Sequence, residues 1–302
     1  YDWPVHPLLL LAIKNSFQDD KEVNMSFIAQ KASSRYNFGW ILAPLIAYIL
    51  LMVGEITGLT LLGFLPLPPD WMLFFELVNF LFITIAIIGW AVIVEKSPLE
   101  GIGLAKKHAL RDFLLGWFLG GAFLTICVLL MVRFGGVQMT GFHFSGTDIL
   151  KFIPLLLAWS IQGHAEEVLA RGFLFSSVAA KNSIPVGIII SSIFFSLIHL
   201  GNDGLSLIPL LDLTLFGILA ALYYLKTGSI WGISGAHAAW NCFQGNVFGF
   251  PVSGTEAGTA FISVKQQGPG WLSGGAFGVE GSLIIVTAQA LVIAWVSYDL
   301  FL

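Results

Sequence analysis

Charge is what this sequence has least of. Of its 302 residues, only 11% are Asp, Glu, Lys or Arg, and the formal net charge is −4. Soluble domains carry about 25% charged residues, because a water-facing surface needs them. So little charge excludes a soluble enzyme and a disordered chain. The 14 Lys and Arg residues form no basic stripe, which excludes nucleic acid as a partner. Cysteine is nearly absent too. Cys127 and Cys242 both lie inside apolar runs, so no disulfide framework is expected and both read as small buried hydrophobes. No cleavable signal peptide is expected within these residues: 8–13 are apolar, but the run is short and no basic stretch precedes it. The chain begins at Tyr1 rather than Met, as expected where the native start is missing or processed.

What is present is apolar. Hydrophobic residues make up 57%, with 26 Phe and 10 Trp, a composition suited to lipid contact and to interface belts. The expected fold class is all-α, a polytopic membrane protein. A spanning helix needs about 20 mostly apolar residues, and eight candidates are visible, at about 40–63, 71–94, 112–133, 149–180, 184–200, 205–225, 229–249 and 279–301. Residues 1–39 read as a cytoplasmic N-terminal segment and 40–302 as the transmembrane domain.

Basic residues set the expected orientation. With eight spans, Lys14, Lys21, Lys31, Arg35, Lys96, Lys106, Lys107, Arg111, Lys181 and Lys226 share the N-terminal side, against Arg133, Lys151 and Lys265 opposite. Both termini are therefore expected in the cytoplasm, with the protein multi-pass in a bacterial plasma membrane. Residues 95–111 read as a cytoplasmic, partly helical connector. Residues 251–278, rich in Gly, Ser and Thr, read as a flexible loop on the other side, idle rather than capping a cavity.

Polar residues at span depth are costly and mark function. Three groups qualify: Glu166, Glu167 and Arg171 on the fourth span; Phe195 and His199 on the fifth; His237 and Asn241 on the seventh. Glu167 and Arg171 are four apart and can pair. Glu166 lies about 100° around the helix, free of that arginine, with Gln162 on its own face. Measured from Lys181 and Lys226 at 1.5 Å per residue, Glu166, His199, His237 and Asn241 lie roughly 16–27 Å deep and can meet in one layer.

Such a group suits hydrolysis. A glutamate can be general base on a water, and a histidine can orient it or move its proton. A second histidine and an asparagine can donate to a developing oxyanion. Alternatively, Glu166, His199 and His237 are enough ligands for an open zinc site. These residue types leave both mechanisms open.

At these positions the chain resembles the CPBP family of intramembrane proteases, which includes the CAAX-prenyl endopeptidase Rce1. The family is marked by EExxxR, FxxxH and HxxxN or HxxxD, in that order on separate helices. Here they read Glu166-Glu167-xxx-Arg171, Phe195-xxx-His199 and His237-xxx-Asn241, intact and in order. Asn246 to Pro251 also looks like bacterial members. The resemblance covers about 150–250 strongly and implies a protease core at about 149–250 in an Rce1-like bundle. It implies that Glu166 and His199 activate water, that His237 and Asn241 form the oxyanion site, and that Glu167 and Arg171 hold the geometry. It favours no cofactor, with zinc possible. The implied partners are the bilayer and a peptide or protein substrate in or at the membrane, whose prenylation does not follow.

Other intramembrane proteases fit less well. Gly232-Ile233-Ser234-Gly235 matches the GxSG of rhomboids, but no histidine follows His237, and small-residue packing explains the match. No HExxH or GxGD is present. The rival class is non-enzymatic: a transporter or bacteriocin self-immunity protein keeping the motif cavity. Glu55, Glu76 and Asp212 support that rival, being at or near span depth. Interface exposure is expected for Glu55 and Glu76, whereas Asp212 has no obvious cation. His6, His108 and His143 are expected in water.

Overall fold

The computed structural model describes residues 26–301, and their backbone is mostly helical. Tyr1, His6, Lys14 and Lys21 lie outside the described residues, as does most of the segment 1–39. A short helix α1 (Ser26–Ala32) precedes α2 (Leu42–Leu62) and α3 (Met72–Gly89), which widens into a π-helical end at Trp90–Glu95. Pro66, Pro68 and Pro69 separate α2 from α3, since proline cannot continue a helix. Next come α4 (Ala109–Arg133), strand β1 (Val137–Phe142) and α5 (Gly146–Glu167). A capping box opens α5: Ser145 and Asp148 each bond the other's backbone N–H, both at 3.1 Å.

The predicted fourth span does not continue as one α-helix. After α5 it becomes a π-helix at Val168–Phe175 and then α6 (Ser176–Lys181). The remaining helices are α7 (Ile184–Leu197), α8 (Leu207–Thr227), α9 (Trp231–Cys242), α10 (Gly270–Ser273) and α11 (Leu283–Phe301). Strand β2 (Ile262–Gln266) precedes α10. Each predicted span thus has a helix, with ends moved by a few residues. The seventh narrows most: α9 stops at Cys242 and a π-turn runs to Val247.

Five helical segments are long and apolar enough to cross a membrane: Leu42–Leu62, Pro69–Glu95, Ala109–Arg133, Leu207–Thr227 and Leu283–Leu300. Helices α5, α7 and α9 do not meet that measure, being shorter or more polar. They carry the motif residues and pack among the others: α9 against α4 and α5, and α7 against α8. The outer surface is apolar, with Ile41, Leu45, Ile56 and Leu59 exposed on α2 and its lead-in. That pattern suits a bundle whose solvent is lipid.

Small residues allow the tightest contacts, since helix association in lipid relies on close van der Waals packing. A Cβ added at Gly116 on α4 would lie 1.8 Å from the Gly232 carbonyl oxygen on α9. One added at Gly235 would lie 2.0 Å from the Phe113 carbonyl oxygen. The rhomboid-like Gly-Ile-Ser-Gly match is therefore a packing seam. Cys127 and Cys242 are free and buried, as the apolar runs imply.

One expectation fails here. The loop after Pro251 is not idle: β2 pairs antiparallel with β1, from Val137 opposite Gln266 to Phe142 opposite Ile262. These strands lie far apart in sequence, so no local turn signal announces the pairing. Lys31 is fully buried and paired with the fully buried Glu95. Phe27 on α1 stacks on Tyr224 at 4.0 Å between ring centroids, so α1 is held under the bundle by both contacts.

Replacing Lys31 by Met should leave Glu95 as an uncompensated buried charge and cost about 3–5 kcal/mol of stability. Thermal unfolding in detergent reads this, and pairing Lys31→Met with Glu95→Leu should recover most of the loss. An unchanged melting temperature for Lys31→Met alone would show that the pair does not anchor α1.

Candidate active site

Helix α5 delivers the glutamates at its C-terminal end. The backbone widens to π-helix at Val168, directly after Glu167; such widenings are frequent at functional sites. Gln162, one turn before Glu166, donates from Nε2 to Glu166 Oε1 at 2.6 Å. Its own Oε1 accepts from Asn241 Nδ2 at 2.8 Å. The amide of Gln162 therefore ties Asn241 on α9 to Glu166 on α5. All three side chains are buried.

The second glutamate holds the other α9 residue. Glu167 Oε1 accepts from Arg171 Nη1 at 3.1 Å and from His237 Nδ1 at 2.9 Å. A carboxylate can only accept, so His237 carries its proton on Nδ1. Its Nε2 then faces Glu166 Oε2, 3.6 Å away. Glu167 and Arg171 are both fully buried. The guanidinium also lies over two rings, 4.5 Å from the Phe195 centroid and 5.3 Å from that of Phe216. Phe216 in turn meets His237 edge-on at 4.9 Å.

His199 is fixed by the backbone. Its Nδ1 bonds the Phe195 carbonyl oxygen at 2.8 Å, and since a carbonyl can only accept, Nδ1 holds the proton. That leaves Nε2 as an acceptor. The FxxxH spacing thus serves twice: the Phe195 backbone sets the His199 tautomer and the Phe195 ring covers Arg171.

Glu166, His199, His237 and Asn241 line one cavity of about 280 Å³. The structure brings all four together, and Gln162, Phe195 and Phe216 line the cavity with them. Glu167 and Arg171 stand behind this wall. Proximity within the group is uneven: His237 lies within 4 Å of Glu166, whereas no such approach joins Glu166 to His199. Among the described residues, no group of three His, Cys, Asp or Glu is placed so as to hold a metal ion.

The cavity is also lined by residues not expected there. Val252, Ser253, Thr255 and Glu256 come from the loop read as idle. Asn202 Nδ2 bonds the Ser253 carbonyl at 2.7 Å, and Gln244 Nε2 bonds the Pro251 carbonyl at 2.6 Å. Glu280 accepts from Ser253 N at 2.9 Å and Ser253 Oγ at 3.1 Å. Burial raises the Glu280 carboxyl above its ordinary value. Asn246 adds a further tie, accepting from Trp159 Nε1 at 2.6 Å while its Nδ2 bonds the Ala257 carbonyl at 2.8 Å. Glu55, Glu76 and Asp212 line the cavity as well. Glu76 is exposed, as expected of an interface position, Glu55 is half-buried, and Asp212 is buried. Glu280 was missed because a lone acid at the start of the predicted last span resembles any interfacial residue.

Residues outside the cavity are plainer. His108 and His143 are exposed. Ser234 of the rhomboid-like match is fully buried and bonds His164 Nδ1 at 3.0 Å, and neither residue lines the cavity.

Residues 148–243, which carry every residue of the three motifs, match the family described as type II CAAX prenyl endopeptidase Rce1-like. The likeness is to an endopeptidase family and rests on that segment of the chain. No curated protein and no solved structure matches the chain. The Rce1-like segment runs from α5 to the end of α9. It therefore includes Gln162 and Asp212 but not Glu280 or the loop that closes the cavity.

Arg171→Ala should leave Glu167 buried without its fixed cation, at a cost of about 3–5 kcal/mol. The melting temperature and the yield of folded protein should both fall. Arg171→Ala protein as stable as wild type would show that the pair does not hold the fold.

Proposed function

We propose that this protein is an intramembrane endopeptidase that hydrolyses a peptide bond with water activated by Glu166. The observation that carries the reading is the state of Glu166. It lines the cavity, Gln162 fixes its Oε1, and its Oε2 is buried with no hydrogen-bond partner in the protein. A carboxylate held by one oxygen and open at the other suits a general base.

The proposed steps follow from the contacts. A water in the cavity gives a proton to Glu166 Oε2 and attacks the substrate carbonyl carbon. His199, with Nε2 as acceptor, orients that water from the other side. Asn241 spends one N–H on Gln162, and the second N–H of the same amide serves the oxyanion. His237 spends Nδ1–H on Glu167, so its Nε2, 3.6 Å from Glu166 Oε2, takes up the proton. As imidazolium it supports the oxyanion and then protonates the leaving amine as the C–N bond breaks. Glu167 and Arg171 position His237 and do not touch the substrate.

The basic residues at 96, 106, 107, 111 and 181 favour cytoplasmic termini, and a bacterial plasma membrane accords with the likeness of Asn246 to Pro251 to bacterial members. Residues 40–302 form the membrane domain in this reading, with the protease core at about 149–250. No metal takes part in these steps.

Purified protein in lipid should cleave a membrane-embedded reporter peptide, and Glu166→Gln should abolish turnover because an amide cannot take the proton. Asn241→Ala should be milder, since losing one oxyanion donor costs on the order of 10²–10³ in rate. A strong chelator should leave cleavage intact. One zinc per chain by elemental analysis, lost together with activity in His199→Ala, would overturn the metal-free mechanism. Undiminished cleavage by Glu166→Gln would overturn the role of Glu166.

A further inference from the structure

The cavity wall has an electrostatic bias that hydrolysis by itself does not require. Six carboxylates line it: Glu55, Glu76, Glu166, Asp212, Glu256 and Glu280. No lysine or arginine does so among the described residues, and Arg171 is committed behind the wall to Glu167. Glu76 and Glu256 are exposed, Glu55 is half-buried, and the other three are buried, so acidic side chains run from the rim inward. A cleft lined by one sign of charge, with low-dielectric walls, concentrates ligands of the opposite sign.

Two of the buried acids stand apart from the hydrolytic group. Asp212 on α8 and Glu280, ahead of α11, share the cavity wall with His199 and Gln289. Glu280 is anchored by Ser253 and Gln244. Yet Asp212 is only 2% exposed, and its Oδ1 has no partner, nor does Oε1 of the equally buried Gln289. Both residues line the cavity. A buried carboxylate oxygen without a donor is costly, and a second acid nearby adds repulsion. Both penalties are relieved by a cation carrying several N–H donors. Arginine offers five in a planar fork, and lysine three.

We propose that the substrate segment entering this cavity carries an arginine or lysine side chain, and that Asp212, Glu280 and Gln289 receive it. The subsite names a substrate class for the cavity and rests on reading that cavity as the substrate site. It does not depend on which residue activates water.

The test is binding rather than turnover. Glu166→Gln protein in lipid nanodiscs is titrated with a fluorescent apolar peptide bearing one central arginine. Its twin carries citrulline, which keeps the shape and removes the charge. The arginine peptide should bind tighter by roughly tenfold or more, as expected of a buried, hydrogen-bonded charge pair. Adding Asp212→Asn should erase that preference and leave citrulline binding unchanged, which also shows that the cavity is still folded. Glu280→Gln should do the same, although it also weakens the tie to Ser253. Equal binding of the two peptides would overturn the proposal, as would a preference that survives Asp212→Asn. Calorimetric titration with calcium chloride alone should give no heat that depends on Asp212; such heat would assign the subsite to an inorganic cation instead. A protein that prefers arginine but cleaves nothing would sink the hydrolytic reading and leave this one standing. Cleavage indifferent to charge would do the reverse.

Discussion

Glu167 is the point on which the site turns. A single oxygen of this fully buried carboxylate receives both Arg171 and His237. A lone charge at that depth is costly, so the arginine supplies the glutamate's counter-charge. The glutamate in turn fixes the tautomer of the histidine. Phe195 and Phe216 cover the guanidinium, giving an aromatic contact worth about 2 kcal/mol when desolvated. One buried ion pair therefore connects α5, α7, α8 and α9, four of the helices that line the cavity.

The remaining geometry depends on how closely α9 can approach its neighbours. Glycines at 116 and 235 bring α4 and α9 into backbone contact, and Gly163 lets α5 approach Ala238 on the other side. With the backbone set, the short bridge from Asn241 through Gln162 to Glu166 closes at 2.8 and 2.6 Å. Side chains in so tight a seam have little freedom, which is the preorganisation that positioning catalysis needs. The polar network is buried within apolar helices, so each of its hydrogen bonds acts in a low dielectric.

The helical runs and the grouping of the motif residues were legible because both follow from local periodicity. Apolar runs of spanning length report helices, and a spacing of four places Glu167 beside Arg171 and Gln162 beside Glu166. Depth counting brought α5, α7 and α9 to one layer for the same reason: rise per residue is nearly constant in a helix. What stayed hidden was set by tertiary contact. Glu167 bonding His237, and Glu166 lying nearer His237 than His199, depend on how α9 is rotated against α5. The pairing of β1 with β2, and Glu280 gripping Ser253, join distant segments with no periodic signal. Lys31 resembled any flanking lysine, and only its burial against Glu95 distinguishes it.

The central claim is that Glu166 activates a water and does not itself attack the substrate. A single turnover in ¹⁸O-enriched water, followed by mass spectrometry of product and enzyme, tests it most directly. The account predicts one heavy oxygen in the new carboxylate of the product and none in the proteolytic fragment containing Glu166. Label in that fragment after the first turnover would reveal a covalent acyl-glutamate and contradict the account. So would the absence of any cleaved product from folded protein given a cleavable membrane peptide.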